Sequence, residues 1–155
     1  MPQMNKGGKY IFGKSIIKQD NSIQFPTQAI VEYDIKSEGY IYLMTGSKAT
    51  GGFCVMRKGL LYPSKLGHIL TDNKGLCDYS IPMGEFIPYK GRSYCWITID
   101  DSGRIQLTDE MMHILNLENG MELLSIRSSD IAFTMGAEGP LLEKAKQFSG
   151  EIEVY

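Results

Sequence analysis

Alternation of apolar and polar residues, and the helical spacing that interrupts it, spell one run of elements twice along this chain. The later run is the plainer. Tyr94–Ile99 is rich in β-branched and aromatic residues, which predicts a strand. Asp100-Asp101-Ser102-Gly103 has the composition of a turn, and Arg104–Leu107 returns as the second strand of a hairpin. Thr108 stands where a helix N-cap belongs, with Asp109 and Glu110 behind it to suit the positive end of the helix dipole. Met111, Met112, Ile114, Leu115 and Leu117 form the apolar stripe of a short amphipathic helix, which Asn119-Gly120 ends. Met121–Ile126 and Ile131–Met135 predict two more strands joined by the polar stretch Arg127–Asp130.

About 80 residues earlier the order is the same. Ile11–Lys18 and Ser22–Phe25 predict a hairpin turning at Gln19–Asn21, and Pro26 suits the first position of a helix reaching about Ile35. Tyr40–Thr45 and Phe53–Arg57 predict the closing strands, with the glycine-rich Gly46–Gly52 between them. Laid over one another, Ile23-Gln24 falls on Ile105-Gln106, Gly39 on Gly120, Ser47 on Ser128, Phe53 on Phe133 and Gly59 on Gly139. Each unit is β-β-α-β-β, and four short strands with one helix bury little apolar surface alone and leave edges unpaired. Two units that interleave their hairpins would close a barrel-like sheet within one chain. The expected division is a first repeat over 10–61, an irregular connector over 62–93, and a second repeat over 94–155. Within the second repeat, Pro140–Phe148 predicts a C-terminal helix and Glu151–Tyr155 a last strand.

Charge changes this picture more than bulk composition does. The net charge is −2, yet Met1–Leu61 carries eight Lys/Arg against four Asp/Glu, and Cys95–Tyr155 four against eleven. Such polarity favours halves that pack on one another, or one half that faces a polyanion. The three cysteines, Cys54, Cys77 and Cys95, lack CxxC spacing, which predicts reduced thiols rather than disulfides or a zinc site. No apolar run reaches 18 residues and Met1–Lys9 has no signal-peptide core, so the expectation is a cytoplasmic protein with no membrane partner.

The string Ile97-Thr98-Ile99-Asp100-Asp101-Ser102-Gly103-Arg104-Ile105-Gln106-Leu107-Thr108, then a helix, Asn119-Gly120 and two strands, resembles the swapped-hairpin domain of the AbrB, SpoVT, MazE and MraZ family. The second copy departs at Thr108, where proline is usual, and at Glu122, where aspartate is. The first keeps Phe25-Pro26 and Gly39 but has Asp20-Asn21-Ser22 in place of Gly-Arg. The resemblance implies a mainly β fold with short helices, here an intramolecular swapped-hairpin barrel from two tandem units. It also implies a transcription regulator that docks basic residues of the hairpin face on DNA. Arg104, just after the tight turn, is the first candidate, since its planar fork suits a phosphate or a base edge. Lys14 and Lys18 on the first hairpin, with Arg57 and Lys58 after the fourth strand, are candidates for phosphate contacts that would make binding steeply salt-dependent.

Each candidate has a plainer role beside it: Arg104 pairing with Asp100 or Asp101, and the lysines as an ordinary solvated face. Gly46–Gly52 could form an anion-binding nest or be a simple hairpin loop. His68 and His113 have no metal-ligand spacing or nucleophile partner, so no enzyme, metal or cofactor is expected. Trp96 is expected to anchor the shared core. Two further functions stay open: an interaction or scaffold protein that keeps the fold without DNA, and a small-ligand sensor using Gly46–Gly52. Homo-oligomerisation is compatible with all three.

Overall fold

A computed structural model describes residues 5–6, 9–139, 142 and 152–155. The first copy supplies β2 (Lys9–Ile16), β3 (Ser22–Gln24), α1 (Thr27–Tyr33), β4 (Tyr40–Thr45) and β5 (Phe53–Met56), preceded by the two-residue β1 (Asn5–Lys6). The second supplies β7 (Arg92–Thr98), β8 (Arg104–Gln106), α5 (Asp109–Ile114), β9 (Glu122–Arg127) and β10 (Phe133–Gly136). Between them lie three single-turn helices, α2 (Lys58–Leu61), α3 (His68–Thr71) and α4 (Lys74–Cys77), and the edge strand β6 (Ile87–Tyr89).

The copies match down to single hydrogen bonds. Lys18 N–H donates to Ser22 O in one hairpin and Asp100 N–H to Arg104 O in the other. Ile30 N–H reaches Pro26 O where Met112 N–H reaches Thr108 O, and Ile35 N–H reaches Ile30 O where Leu117 N–H reaches Met112 O. α1 ends on a left-handed cap, Asp34 at φ 49°, and α5 is followed by the left-handed Asn116 at φ 56°, one residue past its cap Leu115, so both stop short of the expected Ile35 and Leu117. Pro26 stands just before α1 as its cap residue, and Thr108 caps α5 by accepting from Met111 N–H. Asn21 and Gly103 both turn through positive φ, 67° and 83°. Gly103 suits its positive φ, and a Cβ there would also press on the end of the Ile30 side chain of the other copy, which would have to shift.

Strand pairing runs between copies. β2 pairs with β9, β7 with β4, and β5 with β10, all antiparallel. The large sheet runs β1-β2-β9-β10-β5-β4-β7-β6, while β3 and β8 pair as a separate two-stranded ribbon. Ile23 faces Ile105 at the ribbon's centre and Cys54 faces Thr134 at the sheet's centre, so an approximate two-fold axis relating the copies passes through both pairs. The sheet is not the closed barrel expected. Its ends stay apart because β6 occupies the outer edge of β7, while β1 and the C-terminal residues Glu153–Tyr155 occupy that of β2. The expected last strand reduces to one parallel bridge, Val154 with Lys14, and the expected helix Pro140–Phe148 lies outside the described residues apart from Leu142.

The main core fills the space between the sheet's inner face, the ribbon, α1 and α5. Phe133 of the second copy meets Phe25 and Tyr33 of the first at ring-centre distances of 5.2 Å each. The outer face is covered as well. The connector helices lay Leu61, Ile69, Leu70 and Leu76 over Tyr42, Met56 and Tyr94, and Leu142 and Ile152 join Ile11, Leu124 and Ile126. Trp96 belongs to this outer layer rather than to the shared core: its indole N–H donates to Ile81 O at 2.8 Å, and Tyr40 and Tyr79 pack on its ring. Cys54, Cys77 and Cys95 are free thiols. No described helix is long and apolar enough to cross a membrane.

Candidate nucleic-acid interface

In the ribbon the two copies lie side by side, β3 against β8. Alternation in β3 and β8 sends Ile23 and Ile105 inward, 0% and 2% exposed, and leaves Gln24, Arg104 and Gln106 on the outer side. Ser22, on that side too, is 2% exposed and sits opposite Gln106. The two glutamines, equivalent in the duplication, cross-clamp the hairpins. Gln24 Nε2 donates to Ser102 O at 2.7 Å in the second copy's turn, and Gln106 Nε2 donates to Asp20 O in the first copy's turn. Each ribbon strand therefore holds the other copy's turn.

Aspartates shape both turns. Asp100 Oδ1 accepts from Arg104 N–H at 2.9 Å, Ser102 N–H at 3.0 Å and Ser102 Oγ at 2.7 Å, while Asp20 Oδ1 accepts from Ser22 N–H at 3.0 Å. The Arg104 backbone N–H, with the Ser102 bonds, holds the Asp100 carboxyl below its ordinary range, and the Ser22 bonds do so for Asp20. Asp100 thus engages the backbone of Arg104, and the guanidinium is left exposed with no ion pair within 4.0 Å among the described residues. Lys18 is exposed in the first turn, and Lys36 Nζ donates to Asp101 O at 2.6 Å beside the second.

The other three expected cations are occupied. Lys14, with 14% of its side chain exposed, lies 3.8 Å from Glu122 Oε1, in a strand whose far edge carries the C-terminal segment. Arg57 donates from Nε to Tyr33 O and from Nη1 to Glu38 Oε2, each at 2.8 Å, and Glu38 also accepts from Gly59 N–H. Lys58 Nζ sits 4.1 Å from the centre of the Tyr79 ring. The five also divide between opposite ends of the sheet. Lys18 follows β2 at its Ile16–Glu122 end, whereas Arg57 and Lys58 follow β5 at the end where Val55 meets Phe133, the end at which the Asp100–Arg104 turn also follows β7. Lys18 and Arg104, at the ribbon, are the two that share an open surface. Gln24, Gln106 and Lys36 were not among the sequence candidates, and the Ile-Gln pair repeated in both copies was the signal for the first two.

Three amides of Gly46–Gly52 turn back into the loop. Gly46 N–H donates to Gly52 O, and both Thr50 and Gly51 N–H turn back to Ser47 O. The loop docks on the second copy through Thr50 O, which accepts from Ala137 and Glu138 N–H. At Gly52, φ is 61° and a Cβ would collide with Met135 O, so glycine is there for this close contact. His68 Nδ1 lies 2.8 Å from Tyr89 Oη, whose hydroxyl donates to Asp72 Oδ2 at 2.6 Å. That bond to Asp72 pushes the Tyr89 phenol up to about 12, and the three residues fasten the connector to β6. Among the described residues no group of three or more His, Cys, Asp or Glu could hold a metal ion. No family model, curated protein or solved structure matches the chain.

Proposed function

We propose that the chain is a cytoplasmic DNA-binding regulator of the AbrB/SpoVT kind. In this reading its two copies form a swapped-hairpin module and its β3/β8 ribbon meets the duplex. The observation that carries the reading is the exposed Arg104 guanidinium on the outer side of a two-stranded ribbon, with Gln24 and Gln106 beside it. A two-stranded ribbon fits the major groove of B-DNA, where arginine pairs with guanine, while the Gln24 and Gln106 amides stay on the turn carbonyls they clamp. The interface is narrower than the sequence suggests. Lys18, Lys36 and Arg104 supply the cations, and Lys14, Arg57 and Lys58 serve the fold. Two or three phosphate contacts give a slope of log affinity against log salt of about −2 to −3, not the steep dependence first expected. Fluorescence anisotropy with labelled duplexes at low to moderate salt tests this. Arg104→Ala and Lys18→Ala weaken binding, and Lys14→Ala does not. Absence of binding at low salt contradicts the reading.

One observation favours a second reading, an interaction protein that keeps the fold without binding DNA. Lys18, Lys36 and Arg104 at the ribbon face an equal number of carboxylates, Asp20, Asp100 and Asp101. A failed anisotropy titration leaves this reading standing.

A further inference from the structure

The two-fold relation between the copies is kept in the backbone and broken in the side chains that the ribbon presents. Hydrogen bonds pair Lys18 with Asp100 and Ser22 with Arg104 as equivalent positions. At the first, a cation on one side answers to an anion on the other. At the second, an exposed arginine answers to a serine that is 2% exposed and too short to leave the surface. Lys36, which bonds the turn at Asp101, answers to Glu118 three residues past Leu115, the cap of α5. The residues at the axis remain alike, Ile23 with Ile105 and Gln24 with Gln106.

A symmetric protein binds a palindrome because each half reads the same bases, so half-site symmetry mirrors protein symmetry. We infer that this protein binds an asymmetric DNA site, in which the half under Arg104 is read at a base edge and the half under Ser22 is held without that contact. The inference rests on the DNA-binding reading above. It adds what that reading leaves open, namely the symmetry of the target and the residue that breaks it. A single arginine forking onto a guanine supplies discrimination on its own side only. The pseudo-equivalent serine supplies none, although the backbone beneath both makes the same hairpin hydrogen bond.

Selection from a pool of random duplexes with the full chain tests this. The enriched site is expected to lack a dyad. Replacing its guanine in one half is expected to weaken binding roughly tenfold or more, and the mirrored change in the other half by less than about threefold. Arg104→Ser, which makes the two positions alike, removes the difference between halves. Arg104→Lys keeps the charge, so it retains affinity while losing the base preference. Circular dichroism confirms that both variants fold. An enriched palindrome with equal costs in both halves overturns the inference and leaves DNA binding intact, as does asymmetry that survives Arg104→Ser. No enrichment at low salt overturns the DNA-binding reading, and this inference with it.

Discussion

Arg57 and Arg104 have the same side chain and opposite employments, decided by what lies within reach. Arg57 is enclosed by a carbonyl, Tyr33 O, and a carboxylate, Glu38, so its fork is filled from inside the molecule. Arg57→Ala removes the side-chain donor to Tyr33 O and leaves Glu38 with Gly59 N–H alone; it is expected to cost about 1–3 kcal/mol of stability, read by urea denaturation, with DNA affinity unchanged in the folded protein. Its partner Glu38 is 19 residues away in sequence, and Tyr33 closes a helix that packs beneath. Neither contact leaves a mark in the local pattern around Arg57, which is why the residue looks like a surface cation when read alone. Lys14 is concealed in the same way, by Glu122 on the neighbouring β9, more than a hundred residues later. Arg104 differs because the nearby aspartate that could have paired with it is spent on backbone N–H groups of the turn.

At the level of elements, the hairpins were legible because turn chemistry is local. Asp-Asp-Ser-Gly and Gln-Asp-Asn each place a residue tolerant of positive φ at the needed position, Gly103 and Asn21. The second turn carries a pH dependence whose sign follows from Asp100. Its folded pKa lies below the ordinary carboxylate value, so its stabilising contribution is complete above about pH 4 and is lost as pH falls through the folded pKa. Melting curves from pH 7 to pH 3 are expected to show the midpoint falling further in the native chain than in Asp100→Asn, which cannot gain that proton. Parallel curves for the two would contradict this role. The facing of strands was harder to read. β5 and β10 are buried at every position and β9 at four of six, because the connector and the C-terminal residues cover the sheet's outer side. With both faces covered, alternation no longer tells inside from outside, which is why Trp96 looks like a shared-core residue in the sequence and lies in the outer layer of the structure.

For the molecule as a whole, duplication was the feature the amino-acid order displayed best, and open ends the feature it displayed worst. Strand edges demand partners, and closing the sheet on itself is one answer. This chain uses another, capping one edge with β6 and the other with β1 and Glu153–Tyr155, while β3 and β8 leave the sheet to form the ribbon. Nothing in the local sequence of Glu153–Tyr155 says that it lies along β2, since that contact is set by tertiary packing. The separation of the ribbon is what gives the molecule an open polar strip to which both copies contribute, and the proposed function is placed there. An NMR titration of the labelled full chain with duplex DNA tests that assignment most directly. Amide signals of Lys18–Phe25 and Gly103–Leu107 are expected to shift together, with Arg57, Lys58 and the connector unmoved. Shifts centred on Arg57 and Lys58, with the ribbon silent, would contradict the account.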